Sequence, residues 1–185
     1  FFNNTVEEEI TFNLKRNKVN NEEIKIKLNE ILEKLGIDKK LLNASPFEIS
    51  GGQKRMIALA SVLISSPKIL FLDEPTAGLD FESKKIFMSS LKSLNKNFKL
   101  TIIQSSHILE DIIEYVDTVL ILNKNKKFIS GNPRDLLFSK ETLNNYGLKE
   151  PEIYKYIEEL KKFGVKNIDN IKTNSELIKK LFYNN

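Results

Sequence analysis

The segment from Ser45 to Asp80, SPFEISGGQKRMIALASVLISSPKILFLDEPTAGLD, constrains what this chain can fold into more than any other. A glycine pair, Gly51 and Gly52, opens a segment in which Met56, Ile57, Ala60, Leu63 and Ile64 form a buried face at helical spacing. Ser65, Ser66 and Pro67 break that helix, and Lys68 to Leu72 reads as a buried strand ending in two adjacent carboxylates, Asp73 and Glu74. Two glycines in a first helical turn let backbone N–H groups approach an anion closely, and the helix dipole adds positive potential at the same place. Carboxylates at the carboxyl end of a strand stand where open α/β sheets bind their ligands. The order of helix, break, strand and acid is the layout of a nucleotide site.

The flanking sequence repeats the alternation. Phe1 to Phe12 reads as a loop leading into a short acidic helix, its Glu7, Glu8 and Glu9 favoured by the N-terminal dipole. Asn20 to Gly36 is an amphipathic helix with one stripe of Ile24, Leu28, Ile31, Leu32 and Leu35, ended by Gly36. After Asp80 comes a helix from Phe81 to Leu94 carrying Ile86, Phe87, Leu91 and Leu94, with Asp80 or Ser83 as its cap. Leu100 to Ser105 is a second strand, from whose carboxyl end Gln104, Ser105, Ser106 and His107 emerge. Ile108 to Val116 reads as a helix, Thr118 to Leu122 as a strand, Asn123 to Lys127 as a turn and Phe128 to Ser130 as a short strand. This is the βαβ pattern of a largely parallel sheet. Past Gly131 the chain turns helical, at Pro133 to Phe138, Pro151 to Phe163 and Ser175 to Tyr183. Three parts are expected: 1–66 with the glycine-pair helix, 67–132 with the strands, and 133–185 as a helical extension.

Composition narrows the function classes. With 41% hydrophobic residues, 185 residues can bury a real core. There is no cysteine, so neither disulfides nor thiolate metal sites are available. The net charge of +4 is dispersed among acids and amides, which speaks against a nucleic-acid footprint. No run approaches the roughly 18 apolar residues of a membrane-spanning helix, so a membrane role must act through a partner.

Taken together the motifs resemble those of the ABC ATPases. Ser50-Gly51-Gly52-Gln53 resembles the signature sequence, Ile69 to Glu74 with Pro75 the Walker B strand and its catalytic carboxylate, Ala77-Gly78-Leu79-Asp80 the D-loop, and His107 the switch histidine. TVEEEITF, SPFEISGGQ, LDEPTAGLD and the tail GLKEPEIYKYIEEL with TNSEL are similar to the ATPase subunits of energy-coupling-factor importers of vitamins, cobalt or nickel. The resemblance implies a P-loop NTPase-like α/β fold, present in part, and a site for ATP and Mg²⁺. Asp73 would hold the metal, Glu74 would activate the attacking water and His107 would contact the γ-phosphate. Ser50, Gly51 and Gly52 would bind the ATP of an opposing subunit, Gln53 would support the helix start, and Asp80 would connect the two sites. Lys54 and Arg55 are expected to be solvated.

The implied partners are a second ABC ATPase, identical or paralogous, a membrane-embedded transporter subunit and a substrate-binding membrane subunit, with no nucleic acid. The place would be peripheral, at the cytoplasmic face of the membrane. One element of the family is missing: no GxxxxGK[ST] occurs in the chain, nor the glutamine loop that would follow it. The reading therefore expects the carboxyl-terminal part of an ABC ATPase, inactive by itself. Two alternatives stand beside it: a non-catalytic partner that supplies only its signature sequence, and a non-transport ABC ATPase.

Overall fold

The computed structural model describes residues 1–123 and 127–183. They form two compact units, Phe1–Ser105 and Ser106–Asn185.

The first unit begins with α1 (Val6–Arg16). Thr5 caps it by accepting from Glu8 N–H while the Glu8 side chain accepts from Thr5 N–H, a reciprocal capping box. Helix α2 (Asn21–Leu35) is capped by Asn20 and ends at Gly36, whose φ of 63° is the left-handed conformation that a glycine adopts without strain. Its buried residues are the expected stripe of Ile24, Leu28, Ile31, Leu32 and Leu35. A 3₁₀ turn (Lys39–Asn43) leads on to α3 (Gly51–Leu63). Helices α1 and α2 pack on α3, burying Val6, Ile10 and Leu14 against its Met56, Ile57, Leu59, Ala60 and Leu63 side.

Strand β1 (Ile69–Leu72), helix α4 (Phe81–Phe98) and strand β2 (Thr101–Gln104) complete this unit as one βαβ crossover. β1 and β2 are parallel, in the register Ile69↔Thr101 to Leu72↔Gln104. Two expectations are corrected here. β1 is not a buried strand: Leu70 is buried, but Ile69 and Phe71 are 51% and 71% exposed, because in a two-stranded sheet alternate side chains fall on a face that is left open. On α4 the buried stripe is Phe87, Met88, Leu91 and Leu94, while Ile86 lies outside it and is exposed. Leu94 and Leu91 centre the stripe closer to Met88 than the sequence suggested.

The second unit holds α5 (Leu109–Tyr115), β3 (Val119–Leu122), β4 (Phe128–Gly131), α6 (Pro133–Leu136), α7 (Lys140–Tyr146), α8 (Ile153–Lys162) and α9 (Asn174–Phe182). β3 and β4 pair antiparallel, Val119↔Gly131 to Leu122↔Phe128, so the sheet pattern is not parallel throughout. The reason is the connection. A parallel pair needs a crossover of about a dozen residues or more, and only 123–127 lie between these strands. The expected Asn123 to Lys127 turn falls largely on 124–126, outside the described residues; at its ends Asn123 N–H donates to Lys127 O at 3.1 Å.

Ile113, Val119, Ile121 and Leu137 form one core of this unit, and Ile153, Ile157, Ile168 and Leu177 another. Phe138 touches both, and Tyr154 packs its ring against it in a tilted contact, 4.9 Å between centroids, and donates its hydroxyl to Phe138 O at 3.0 Å. Helix α7 was not expected, although Ser139 caps its start and Gly147, at φ 66°, its end. Among the described residues no helix is long and apolar enough to cross a membrane.

Glu176, in the first turn of α9, accepts from Lys172 N–H at 2.9 Å and pairs with Arg134 at 2.6 Å. Partial burial raises its pKa, but the bonds from Lys172 and Arg134 outweigh this and leave the carboxyl below its ordinary 4.5. A depressed folded value means that the stabilisation is complete above the ordinary value and is lost as pH falls through the folded one. Both side chains are over a third exposed, so screening limits the pair to roughly 1 kcal/mol. Glu176→Gln is expected to lower the melting temperature by about 2–4 °C at neutral pH. The gap should begin to narrow below the ordinary value of 4.5 and close once the pH has passed the lower folded value.

Candidate functional site

The parallel register of β1 and β2 brings their carboxyl ends to one edge. Ser105 continues the ladder one step beyond β2, donating its N–H to Leu72 O at 2.9 Å, which sets it beside Asp73. Its hydroxyl donates to Asp73 Oδ1 at 2.5 Å and accepts the Glu74 N–H at 3.0 Å. Glu74 has φ 43°, in the left-handed region. For a residue with a Cβ this costs on the order of 1 kcal/mol or more and persists only where surrounding bonds hold it. Asp73 is exposed and Glu74 half-buried.

From Glu74 the chain descends through two successive tight turns, Ala77 N–H to Glu74 O and Leu79 N–H to Thr76 O, both 3.2 Å. Gly78 lies in the second of them at φ 74°, and Thr76 is buried. The segment ends at Asp80, which caps α4. Its Oδ1 accepts from Ser83 N–H at 2.9 Å and its Oδ2 from the Ser83 hydroxyl at 2.6 Å. These bonds from Ser83 hold the Asp80 carboxyl below its ordinary range. Both of its oxygens are thus engaged inside the chain, where the sequence reading had given it a role between two sites.

Ser50 caps α3. Its oxygen accepts the Gln53 N–H at 3.2 Å, and Gln53 Oε1 accepts the Ser50 N–H at 2.9 Å. Gln53 is therefore the helix-start residue the sequence suggested. Because Ser50 uses its oxygen as an acceptor, its hydroxyl hydrogen is left to donate. Gly51 and Gly52 are the first two residues of α3, whose opening N–H groups have no partner within a helix.

The two glycines differ in their surroundings. A Cβ on Gly51 would meet nothing within 4 Å, whereas one on Gly52 would stand 2.5 Å from Ser83 Oγ and 2.8 Å from Ser83 Cβ. The start of α3 thus sits directly against the start of α4. Arg55 strengthens the junction by donating to Ala77 O at 3.1 Å, and Lys54 donates to Phe47 O at 3.1 Å. Both had been expected to be solvated. Their carbonyl partners are invisible in a sequence because they are backbone groups brought close only by folding.

His107 belongs to the second unit, in the turn ahead of α5 where Ile108 N–H donates to Ser106 Oγ at 3.1 Å. Sequence reasoning missed the part played by Ser105, named there only as part of a strand end, and the contacts that Arg55 makes with Ala77 and Ser83 with Gly52. The parallel register is the signal for Ser105, and it becomes readable only once β1 and β2 are paired.

Since Gly52 is pressed on Ser83 and Gly51 is open, alanine should separate them. Gly52→Ala is expected to cost roughly 1–3 kcal/mol through overpacking, read as a lowered melting temperature. Gly51→Ala should leave the melt unchanged or slightly raised, since a helical glycine gains up to about 1 kcal/mol on replacement by alanine.

Residues 2–77 match the family model described as ABC transporter. The energy-coupling factor transporter ATP-binding protein EcfA2 of Caldanaerobacter subterraneus is 40% identical over 164 residues, covering 89% of this chain and 57% of its own length. The protein of the same name in Clostridium tetani is 36% identical, covering 97% and 63%. Among solved structures, CbiO1 of Clostridium perfringens, part of the ABC transporter complex CbiONQ, is 32% identical with a TM-score of 0.70, covering 85% of this chain and 62% of its own. The chain thus spans about three fifths of the length of these proteins. With a glycine-pair helix start, an acid-ended parallel strand and these likenesses, the chain carries part of an ABC transporter ATPase domain.

Proposed function

We propose that the chain is part of an ATP-hydrolysing subunit of an importer of the energy-coupling-factor type, in which ATP-driven closure of two ATPase chains powers uptake of a vitamin or a transition-metal ion. The observation that carries this reading is the shared edge of β1 and β2, where Ser105 binds the Asp73 carboxylate and the backbone N–H of the adjacent acid Glu74. The names of the relatives favour the energy-coupling-factor type. The partners would be a second ATPase chain, identical or paralogous, and two membrane subunits, one of them choosing the solute, all met at the cytoplasmic face.

Hydrolysis of a phosphoanhydride is largely positioning and charge stabilisation. Glu74 would accept a proton from the attacking water, a task that needs an ionised carboxylate within hydrogen-bond reach of that water. Asp73, with Oδ1 taken by Ser105, would offer Oδ2 to Mg²⁺ or to one of its waters. Among the described residues no three His, Asp or Glu side chains could cage a metal alone, which suits an ion held by one carboxylate, phosphate and water. When bound, Mg²⁺ neutralises charge on the phosphates. His107 would contact the γ-phosphate.

The start of α3 would serve a different nucleotide, held by the opposing chain. There the Ser50 hydroxyl and the N–H groups of Gly51 and Gly52 would donate to the γ-phosphate, as charge-assisted bonds at a helix N-terminus. Gln53 would keep that turn in shape. Asp80, anchored as the α4 cap beside Gly52, would transmit the state of one site to the other.

In the full-length protein Glu74→Gln should still bind ATP but lose turnover by about 100-fold or more, as expected when a general base is removed. Equilibrium nucleotide binding with steady-state phosphate release measures both, and wild-type turnover would remove Glu74 from this role. Gly51→Asp should also abolish turnover while melting like the wild type, because its side chain enters open space and brings a negative charge to the phosphate site. Undiminished turnover in that variant would refute the role given to α3.

A further inference from the structure

No motif of the nucleotide site includes Ser105, yet it is the residue that connects the Asp73 carboxylate to the backbone of Glu74. Its hydroxyl makes two bonds, giving its hydrogen to Asp73 Oδ1 at 2.5 Å and receiving the Glu74 N–H at 3.0 Å. The first distance lies in the range of charge-assisted O–H···O⁻ bonds, which are shorter and stronger than neutral ones. Bonds linked in this way polarise one another, so Glu74 N–H, Ser105 hydroxyl and Asp73 carboxylate behave as one chain.

Each bond has a distinct effect. Occupying Oδ1 fixes the Asp73 carboxylate and reserves its other oxygen. Holding the Glu74 N–H secures a left-handed backbone, φ 43°, that a residue with a Cβ would otherwise leave. Ser105 can do both because the strand ladder, through its own N–H on Leu72 O at 2.9 Å, fixes where it stands. A water could replace the hydroxyl at this exposed edge, but it would have to be ordered anew. A hydroxyl carried by β2 is already in place, which is what a preorganised site requires.

We infer that Ser105 is a positioning residue of the ATPase site: it orients Asp73 toward the Mg²⁺ shell and locks the backbone of the general base Glu74, so that the two acids act together. This rests on the ATPase reading above. Ser105 touches neither nucleotide nor metal in this scheme and acts only through its neighbours.

Three substitutions in the full-length protein test it: Ser105→Ala, Ser105→Thr and Ser105→Val. Thr and Val are nearly equal in shape, and only Thr keeps the hydroxyl. Turnover is measured against free Mg²⁺, and hydrogen exchange of the Glu74 amide is measured without nucleotide or metal. Ala and Val are expected to lose about 10- to 100-fold, as outer-shell substitutions do, divided between a lower kcat and a higher Mg²⁺ concentration for half-maximal rate. Their Glu74 amide should exchange roughly tenfold faster or more, while Thr stays close to wild type in all respects.

Wild-type kcat and Mg²⁺ dependence in Ala, or equal impairment of Thr and Val, overturns the inference. If wild-type protein with bound nucleotide shows no hydrolysis, the ATPase reading falls. The amide exchange then still decides whether Ser105 fixes the Glu74 backbone, since equal exchange in all four proteins refutes it.

Discussion

The parallel pairing of β1 with β2 is the constraint on which the site depends. Parallel neighbours must be joined by a crossover, here α4, and their carboxyl ends then emerge at the same edge. Asp73 and Glu74 continue one strand and Ser105 the other, so a single register decides that a hydroxyl meets a carboxylate at 2.5 Å. A slip of one residue would put Leu70 and Ile102 on opposite faces and carry Ser105 away from Asp73. The burial of Leu70 between exposed Ile69 and Phe71 shows which face the register defends.

The first unit also binds the two ends of the Ser50 to Asp80 segment together. The start of α3 leans on the start of α4 through Gly52 and Ser83, and Arg55 reaches the carbonyl of Ala77. Asp80 completes the junction by capping α4 with both carboxylate oxygens. On the proposed function this packing has a mechanical meaning. A phosphate group engaging Gly51 and Gly52 would press the start of α3 on the start of α4 that Asp80 closes, and Asp80 follows Glu74 by six residues along the chain. Coupling through such contiguous packing requires that the junction have two arrangements.

Much of this was legible in the sequence because it rests on local chemistry. The cap at Asp80, the helix start at Ser50 to Gln53, the stop at Gly36 and the α2 stripe are each set by residues close to one another in the chain. The order of the glycine pair, the acid-ended strand and His107 pointed to the family. What stayed hidden depends on partners distant in the chain. The openness of β1 depends on what lies against its face, the antiparallel β3–β4 pair on a short connection being read as part of an alternating pattern, and the bonds of Arg55 and Ser105 on backbone and side-chain groups that only folding brings near. Helix α7 was missed because seven residues between a serine cap and Gly147 give too little periodicity to see.

The central claim is that one segment serves two nucleotides, with Asp73 and Glu74 acting on the ATP of their own chain and Ser50 to Gln53 on that of the opposing chain. Tethered pairs of full-length chains test it most directly by placing Gly51→Asp and Glu74→Gln either on separate chains or together on one chain beside a wild-type partner. If the helix start acts across the pair, separate placement leaves one intact site and retains turnover, while placement on one chain damages both sites and abolishes it. Turnover that survives only when both substitutions share a chain would contradict the account, because each chain would then be completing its own site.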